Sequence, residues 1–256
     1  MKDGIVYECK LSSNLIDKEK DSFVKVFNEV FNLDYNRDWF NWKYMDNIYG
    51  DSYIVLAYDG DKVVGIRSFW RNDMDGFLSY QPCDTAVVKE YRGRGIFSKM
   101  SLIALEKTKE AFIYNFPNEN SLPGYLKLGW KINKYCYLKP VFTKGKLKKE
   151  SKYIDDDYLI WKFGKSPINK YHYCQKDGES YLLYGRGKNI YYVLGRFNSK
   201  YNFYFTEVDS PILFNYTTEE TIVYKIFKNK TTIVSFEREN QDMKNIDIPI
   251  FKGDFF

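Results

Sequence analysis

Val87-Val88-Lys89-Glu90-Tyr91-Arg92-Gly93-Arg94-Gly95-Ile96-Phe97 decides how this chain is read. Apolar Val87 and Val88 end a strand, two glycines allow a tight turn, and a helix over Phe97 to Lys109 follows. Amides in such a turn point outward, and the positive end of the helix dipole lies at the same place. That combination suits a phosphate or diphosphate held without a metal.

Working outward, the spacing of Phe23, Val26, Phe27, Val30 and Phe31 predicts an amphipathic helix over Lys18 to Phe31. A second helix is expected over Arg37 to Met45. Ser52 to Tyr58 and Lys62 to Arg71 read as strands joined by an Asp59-Gly60 hairpin turn. Phe77 to Val88 is the next strand. Pro82 inside it predicts a bulge or a splayed edge, because proline cannot donate to a ladder. Ala111 to Phe116 is a strand, Leu122 to Leu128 a short helix stopped by Gly129, and Trp130 to Leu138 a further strand.

The lysine-rich run Lys144 to Lys152 reads as a solvated linker and sets a boundary between domains at 1–142 and 150–256. The second half echoes the first. Asp38-Trp39-Phe40-Asn41-Trp42-Lys43-Tyr44 is matched by Asp157-Tyr158-Leu159-Ile160-Trp161-Lys162-Phe163, and Tyr58-Asp59-Gly60-Asp61 by Lys176-Asp177-Gly178-Glu179. The glycine turn has no such echo, since Gly185-Arg186-Gly187 leads into a strand-like run. Short strands are expected at Ser180 to Tyr184, Ile190 to Leu194, Asn202 to Glu207, Thr221 to Phe227 and Thr231 to Phe236.

Bulk properties narrow the classes. A net charge of +5 is too mild for a nucleic-acid binder. No stretch reaches the roughly 18 apolar residues of a membrane span. The Met1-Lys2-Asp3-Gly4 start has no apolar leader, so a cytoplasmic protein is expected. Cys9, Cys83, Cys136 and Cys174 are dispersed, with His172 the only histidine, so neither a disulfide framework nor a metal site is expected. The 24 Tyr and 20 Phe favour strands and lined clefts.

Two stretches together resemble the GCN5-related N-acetyltransferase (GNAT) superfamily. Arg92-Gly93-Arg94-Gly95-Ile96-Phe97 is similar to its diphosphate signature, Gln/Arg-x-x-Gly-x-Gly/Ala. Asn118-Glu119-Asn120-Ser121-Leu122-Pro123-Gly124-Tyr125-Leu126-Lys127-Leu128-Gly129-Trp130 is similar to the later one, an Asn, a small residue, a Tyr and Gly-Phe. The resemblance spans Lys18 to Lys139. A P-loop would need Gly-Lys-Ser/Thr and a Rossmann turn a third glycine, and neither is present. Where the family has a small residue the chain has Phe97, whose side chain must turn away from the diphosphate.

The resemblance implies an α/β (α+β) fold: a mixed, centrally splayed sheet flanked by helices, with a smaller, mainly β, GNAT-like C-terminal domain. It implies acetyl-CoA, or another acyl-CoA, as cofactor and an N-acetyltransferase activity. Amides of Arg92, Gly93, Arg94, Gly95, Ile96 and Phe97, with Ser98, would hold the diphosphate. Backbone of Ala86, Val87 and Val88, with Asn118, would hold the pantetheine arm, and the Val87 amide the oxyanion. Tyr125 would protonate the leaving thiolate. The general base stays open between Asp84, a water and the Phe256 carboxylate, a terminal carboxylate being used by the two-lobed enhanced-intracellular-survival branch. Trp39, Trp42, Phe69 and Trp70 are candidates to line the site of a small amine, an amino sugar among them. A CoA-binding module without catalysis and tRNA-dependent aminoacyl transfer are the competing functions. Oligomeric state is not legible in the sequence.

Overall fold

The computed structural model describes residues 4–74, 76–141, 147–238 and 247–254. Its contacts group the chain into two compact units. One holds residues 1–115, 121–131 and 235–245; the other holds 116–120, 132–234 and 246–256.

In the first unit β1 (Ile5–Leu11) leads to α1 (Asp17–Phe31). Glu19 caps α1 by accepting the Ile16 amide at 3.0 Å, and Asn32 closes it in the left-handed region at φ 54°. α2 (Arg37–Phe40) is capped by the Asn36 side chain and widens into a π-helical turn over Asn41–Met45. Strands β2 (Tyr53–Asp59), β3 (Lys62–Arg71) and β4 (Ser79–Val87) form an antiparallel meander. Helix α3 (Ile96–Lys107), strand β5 (Phe112–Asn115) and helix α4 (Leu122–Lys127) complete it, in the strand order β1-β2-β3-β4-β5.

The α1 face of this sheet carries an aromatic core. Phe27 stacks on Trp39 with ring centroids 4.6 Å apart, and Phe23 meets Phe40 edge-on at 5.4 Å. The apolar spacing of α1 buries Phe23, Val24, Val26 and Phe27 there.

In the second unit β6 (Lys131–Pro140) precedes the short helices α5 (Leu147–Glu150) and α6 (Asp156–Tyr158). Asp155 caps α6 through the amides of Asp157 and Tyr158, and a π-helical turn follows over Leu159–Gly164. Strands β7 (His172–Lys176), β8 (Glu179–Gly185) and β9 (Ile190–Phe197) form a second meander. Then come β10 (Thr206–Glu207), β11 (Ile212–Thr217), α7 (Ile222–Phe227) and β12 (Lys230–Phe236). The strand order is β12-β6-β11-β9-β8-β7-β10. Its core gathers Leu147, Cys174, Tyr181, Leu183, Val193 and Leu213.

The echo in the sequence has a local structural counterpart. Each unit runs from a side-chain-capped helical turn through a π turn to a three-stranded meander whose third strand bulges. The bulge lies opposite Ile66/Ser68 in one and Leu182/Leu183 in the other. The third strand then pairs in parallel with its next neighbour, β4 with β5 and β9 with β11.

Three expectations fail locally. Thr221 to Phe227 is not a strand. The Thr221 hydroxyl accepts the Tyr224 amide at 3.2 Å and starts α7, so a cap overrides β-branched composition. Asn202 to Tyr204 belong instead to a 3-10 helix (Ser199–Tyr204) begun by the Asn198 side chain; the chain is extended only from Phe205 on, with Thr206 and Glu207 forming β10. The expected linker contains α5, which buries Leu147 at 1% exposure; Lys144 and Lys146 lie outside the described residues.

Gly195 on β9 has no room for a side chain. A Cβ there would lie 2.7 Å from Ile154 Cγ1 and 2.8 Å from the Lys152 carbonyl oxygen. Gly195→Ala is expected to lower stability by about 1–3 kcal/mol, read as an earlier urea midpoint. An unchanged midpoint would mean that the 152–154 segment yields freely.

Candidate active site

Pro82 opens the sheet. β4 and β5 pair only at Ser79↔Phe112 and Tyr80↔Ile113, and the Phe112 amide donates to Leu78 O at 2.9 Å. By strand alternation Tyr80 and Pro82 therefore also face β5. Proline has no N–H to give, so the ladder stops at Pro82. The bulge follows at once, with Asp84 in the left-handed region at φ 46°. One extra residue inverts the alternation. Val88 N–H donates to Val64 O on β3 at 3.0 Å, so the main-chain groups of its neighbour Val87 point into the gap beyond β5. Ala86 and Val88 are buried beside it.

The glycine turn lies at the end of this gap. Gly93 (φ 78°) and Gly95 (φ 74°) both take the left-handed conformation that side chains disfavour. The first intrahelical bond of α3 runs from Lys99 N–H to Gly95 O at 3.0 Å, and Gly95 offers no capping side chain. The amides of Gly95, Ile96, Phe97 and Ser98 therefore precede the helical ladder. Arg92 and Arg94 are exposed at its mouth. Arg92 Nε donates to Val87 O at 3.0 Å, and Arg94 donates to Glu90 O at 3.2 Å while covering the Tyr91 ring. Among the described residues the segment after β9 forms no such cradle: there the Asn198 side chain itself accepts the Lys200 amide.

Tyr125 spans the gap on the α3 face. Its oxygen accepts from Asn115 Nδ2 at 2.6 Å, at the end of β5, and from Arg67 at 3.1 Å, on β3. Arg67 also donates to the Thr85 hydroxyl on β4 at 2.9 Å. A phenol oxygen has two acceptor positions and one proton. With both positions filled, the O–H of Tyr125 is left to donate elsewhere. Phe97 turns onto this group: its ring lies edge-on to Tyr125, against Gly124, with the Arg67 guanidinium 4.6 Å from its centroid.

Asp84 lies on the opposite face. Along β3, Gly65 and Arg67 meet α3, whereas Ser68 and Trp70 meet the π turn through Tyr44 OH and Lys43 O. Asp84 Oδ2 accepts Lys43 Nζ at 2.8 Å, both side chains being 5% exposed, and also accepts the Tyr44 hydroxyl. Burial first, then the negative charge of Asp84, holds the Tyr44 phenol well above its ordinary pKa, so it stays a proton donor to that carboxylate. Both contacts fall on Oδ2.

The remaining candidates are placed elsewhere. Trp39, Trp42, Phe69 and Trp70 are core side chains at 0–9% exposure. Rings so buried offer no face on which an acceptor could stack. Asn118 is exposed in a turn that groups with the second unit. His172 is on β7, edge-on to Tyr191. Burial pushes the Cys9 and Cys174 thiols up to about 11 and raises Cys136, which makes them poor nucleophiles. Phe256 lies outside the described residues. Sequence reasoning missed Lys43, Arg67 and Asn115, and it read Tyr44 as a ring for the acceptor where the structure gives its hydroxyl to Asp84. Arg67 alone had a signal, a lone cation inside the apolar run Val63 to Trp70.

Residues 13–133 match the family model described as the acetyltransferase (GNAT) domain. The chain carries a GNAT acetyltransferase domain. It is an acyltransferase by class, and the GNAT fold implies an acyl-CoA ligand. Among solved structures, a GCN5-related N-acetyltransferase from Kribbella flavida is 11% identical, with a TM-score of 0.55 over 90% of this chain and 71% of that one. A putative acetyltransferase from Pyrococcus horikoshii is 13% identical, with a TM-score of 0.53 over 93% and 91%. A conserved protein of unknown function from Enterococcus faecalis V583, a probable N-acyltransferase, is 12% identical, with a TM-score of 0.53 over 90% and 72%. These likenesses show a shared fold that is not confined to the GNAT domain. No curated protein matches the sequence. Among the described residues no helix is long and apolar enough to cross a membrane.

Proposed function

We propose that the GNAT domain transfers an acetyl group from acetyl-CoA to the primary amine of a small acceptor by direct attack. The observation that carries this reading is the alignment of one gap with three chemistries. Amides that precede the α3 ladder lie at its end, the Val87 main chain lines it, and Tyr125 bridges it. Diphosphate would sit on the amides of Gly95 to Ser98, beside Gly93, with Arg92 and Arg94 adding charge. Pantetheine would take the place of the missing β5 residues against Val87, displacing Arg92 from the Val87 carbonyl.

The two faces divide the work. The amine approaches from the Asp84 side, and Asp84 or a water takes its proton. Its lone pair forms the C–N bond, and the Val87 amide holds the oxyanion. The C–S pair then returns to sulfur on the α3 side, where the Tyr125 proton meets it. Because the four candidate rings are core, they give an amino sugar no preference over another small amine. It does not call on nucleic acid or on a membrane. The test is a panel of small amines, polyamines and amino sugars incubated with acetyl-CoA while free thiol is followed. Thiol release that depends on one acceptor class is expected. No release above hydrolysis with any amine, alongside tight CoA binding, would favour a binding module instead.

A further inference from the structure

The least expected group in the GNAT domain is Arg67. It is 0% exposed, yet among the described residues no carboxylate pairs with it. Its hydrogen bonds go to two neutral hydroxyls, Thr85 and Tyr125, and its buried Nε has no partner. Three rings, Phe69, Phe97 and Tyr125, surround the guanidinium at 4.6–5.5 Å. Ring faces repay only part of the cost of taking a cation out of water. A cation kept in such a place is well matched to negative charge that forms beside it.

We propose that Arg67 is the positioning residue of the leaving-group step, acting through Tyr125. This rests on the acyl-transfer reading above, with Tyr125 as the acid. Arg67 and Asn115 together fill the acceptor positions of the phenol oxygen and so aim its proton at the thioester sulfur. When the C–N bond has formed and the C–S bond breaks, the electron pair goes to sulfur and the proton follows from Tyr125. The products are amide, CoA thiol and a phenolate. That phenolate then lies one hydrogen bond from the Arg67 cation, and the charge unbalanced in the resting site is balanced. The proton given up by the amine, passed through water, restores the phenol. Packing alone does not account for the choice of residue, since a methionine would fill the same space between Phe97 and Tyr125 without a buried charge.

The experiment is a kinetic cycle on the full chain: Arg67→Met, Tyr125→Phe and the double variant, with Arg67→Lys in parallel. Acetyl-CoA and the best amine of the panel serve as substrates. Arg67→Met is expected to lower kcat by roughly 10- to 100-fold, the scale of one preorganised donor, with KM for acetyl-CoA nearly unchanged. In the Tyr125→Phe background it should lower kcat by less than about 3-fold, because two residues that act as a unit do not multiply their losses. Arg67→Lys keeps the charge and one donor and should fall between. It carries the same cycle if the methionine variant does not fold. Losses that multiply, or a defect confined to KM or acetyl-CoA affinity, would overturn the role of Arg67 and leave the acid in place. Full turnover by Tyr125→Phe alone would overturn both.

Discussion

Tyr125→Phe should slow acetyl transfer by about 10²- to 10⁴-fold, the range of a lost general acid, while CoA binds as before. The substitution removes one oxygen that does three things. It accepts from Asn115 at 2.6 Å, accepts from Arg67 at 3.1 Å and keeps its own proton for a third group. The ring itself stays packed between Phe97 and Trp130, so the cradle at Gly95 to Ser98 is untouched. Phe leaves two buried donors without an acceptor, which costs about 1–3 kcal/mol each. The variant should therefore be less stable as well as slow, and kcat must be measured well below its melting temperature. Wild-type turnover would remove the acid.

Asp84→Asn should cost about 3–5 kcal/mol of stability, because it withdraws the anion from a buried lysine. Lys43 Nζ lies 2.8 Å from the carboxylate with both side chains 5% exposed. The amide can still accept from Tyr44, so the loss is one of charge and not of shape. Lys43→Met in the same chain should return much of that stability, since a long apolar side chain replaces an ammonium deprived of the Asp84 charge. Urea titration of the two single variants and the double variant measures this coupling. Additive losses would show that the pair is not coupled. The same cycle separates structure from chemistry. If Asp84 is the base, the stabilised double variant remains slow; if it recovers wild-type turnover, Asp84 is not the base.

How much of this was legible in the sequence follows the range of the forces involved. The glycine turn was, because φ near +75° at Gly93 and Gly95 is a local demand of the backbone. Pro82 was too: the break it causes in the β4–β5 ladder follows from one missing N–H. The meander and its Asp59-Gly60 turn were legible from alternation and turn chemistry. What was hidden depends on residues far apart in the chain meeting across the sheet. Asn115 and Arg67 meet at Tyr125, and Lys43 and Tyr44 meet at Asp84; no spacing rule reaches from 43 to 84. The aromatic residues around Trp39 misled for the opposite reason. A ring that could line a cleft and a ring that fills a core read alike until α1 is laid across them. At α7 and at Ser199–Tyr204, single capping side chains outweighed strand-like composition over one turn.

The central claim is that the amides at Gly95 to Ser98 receive the diphosphate of coenzyme A. Isothermal titration of the chain with CoA, set beside pantetheine, which shares the arm but has no diphosphate, tests it most directly. A saturable heat with CoA and at least about a hundredfold weaker binding of pantetheine, a loss of about 2.7 kcal/mol, is the predicted result. Equal binding of the two, or no heat with CoA, would contradict it.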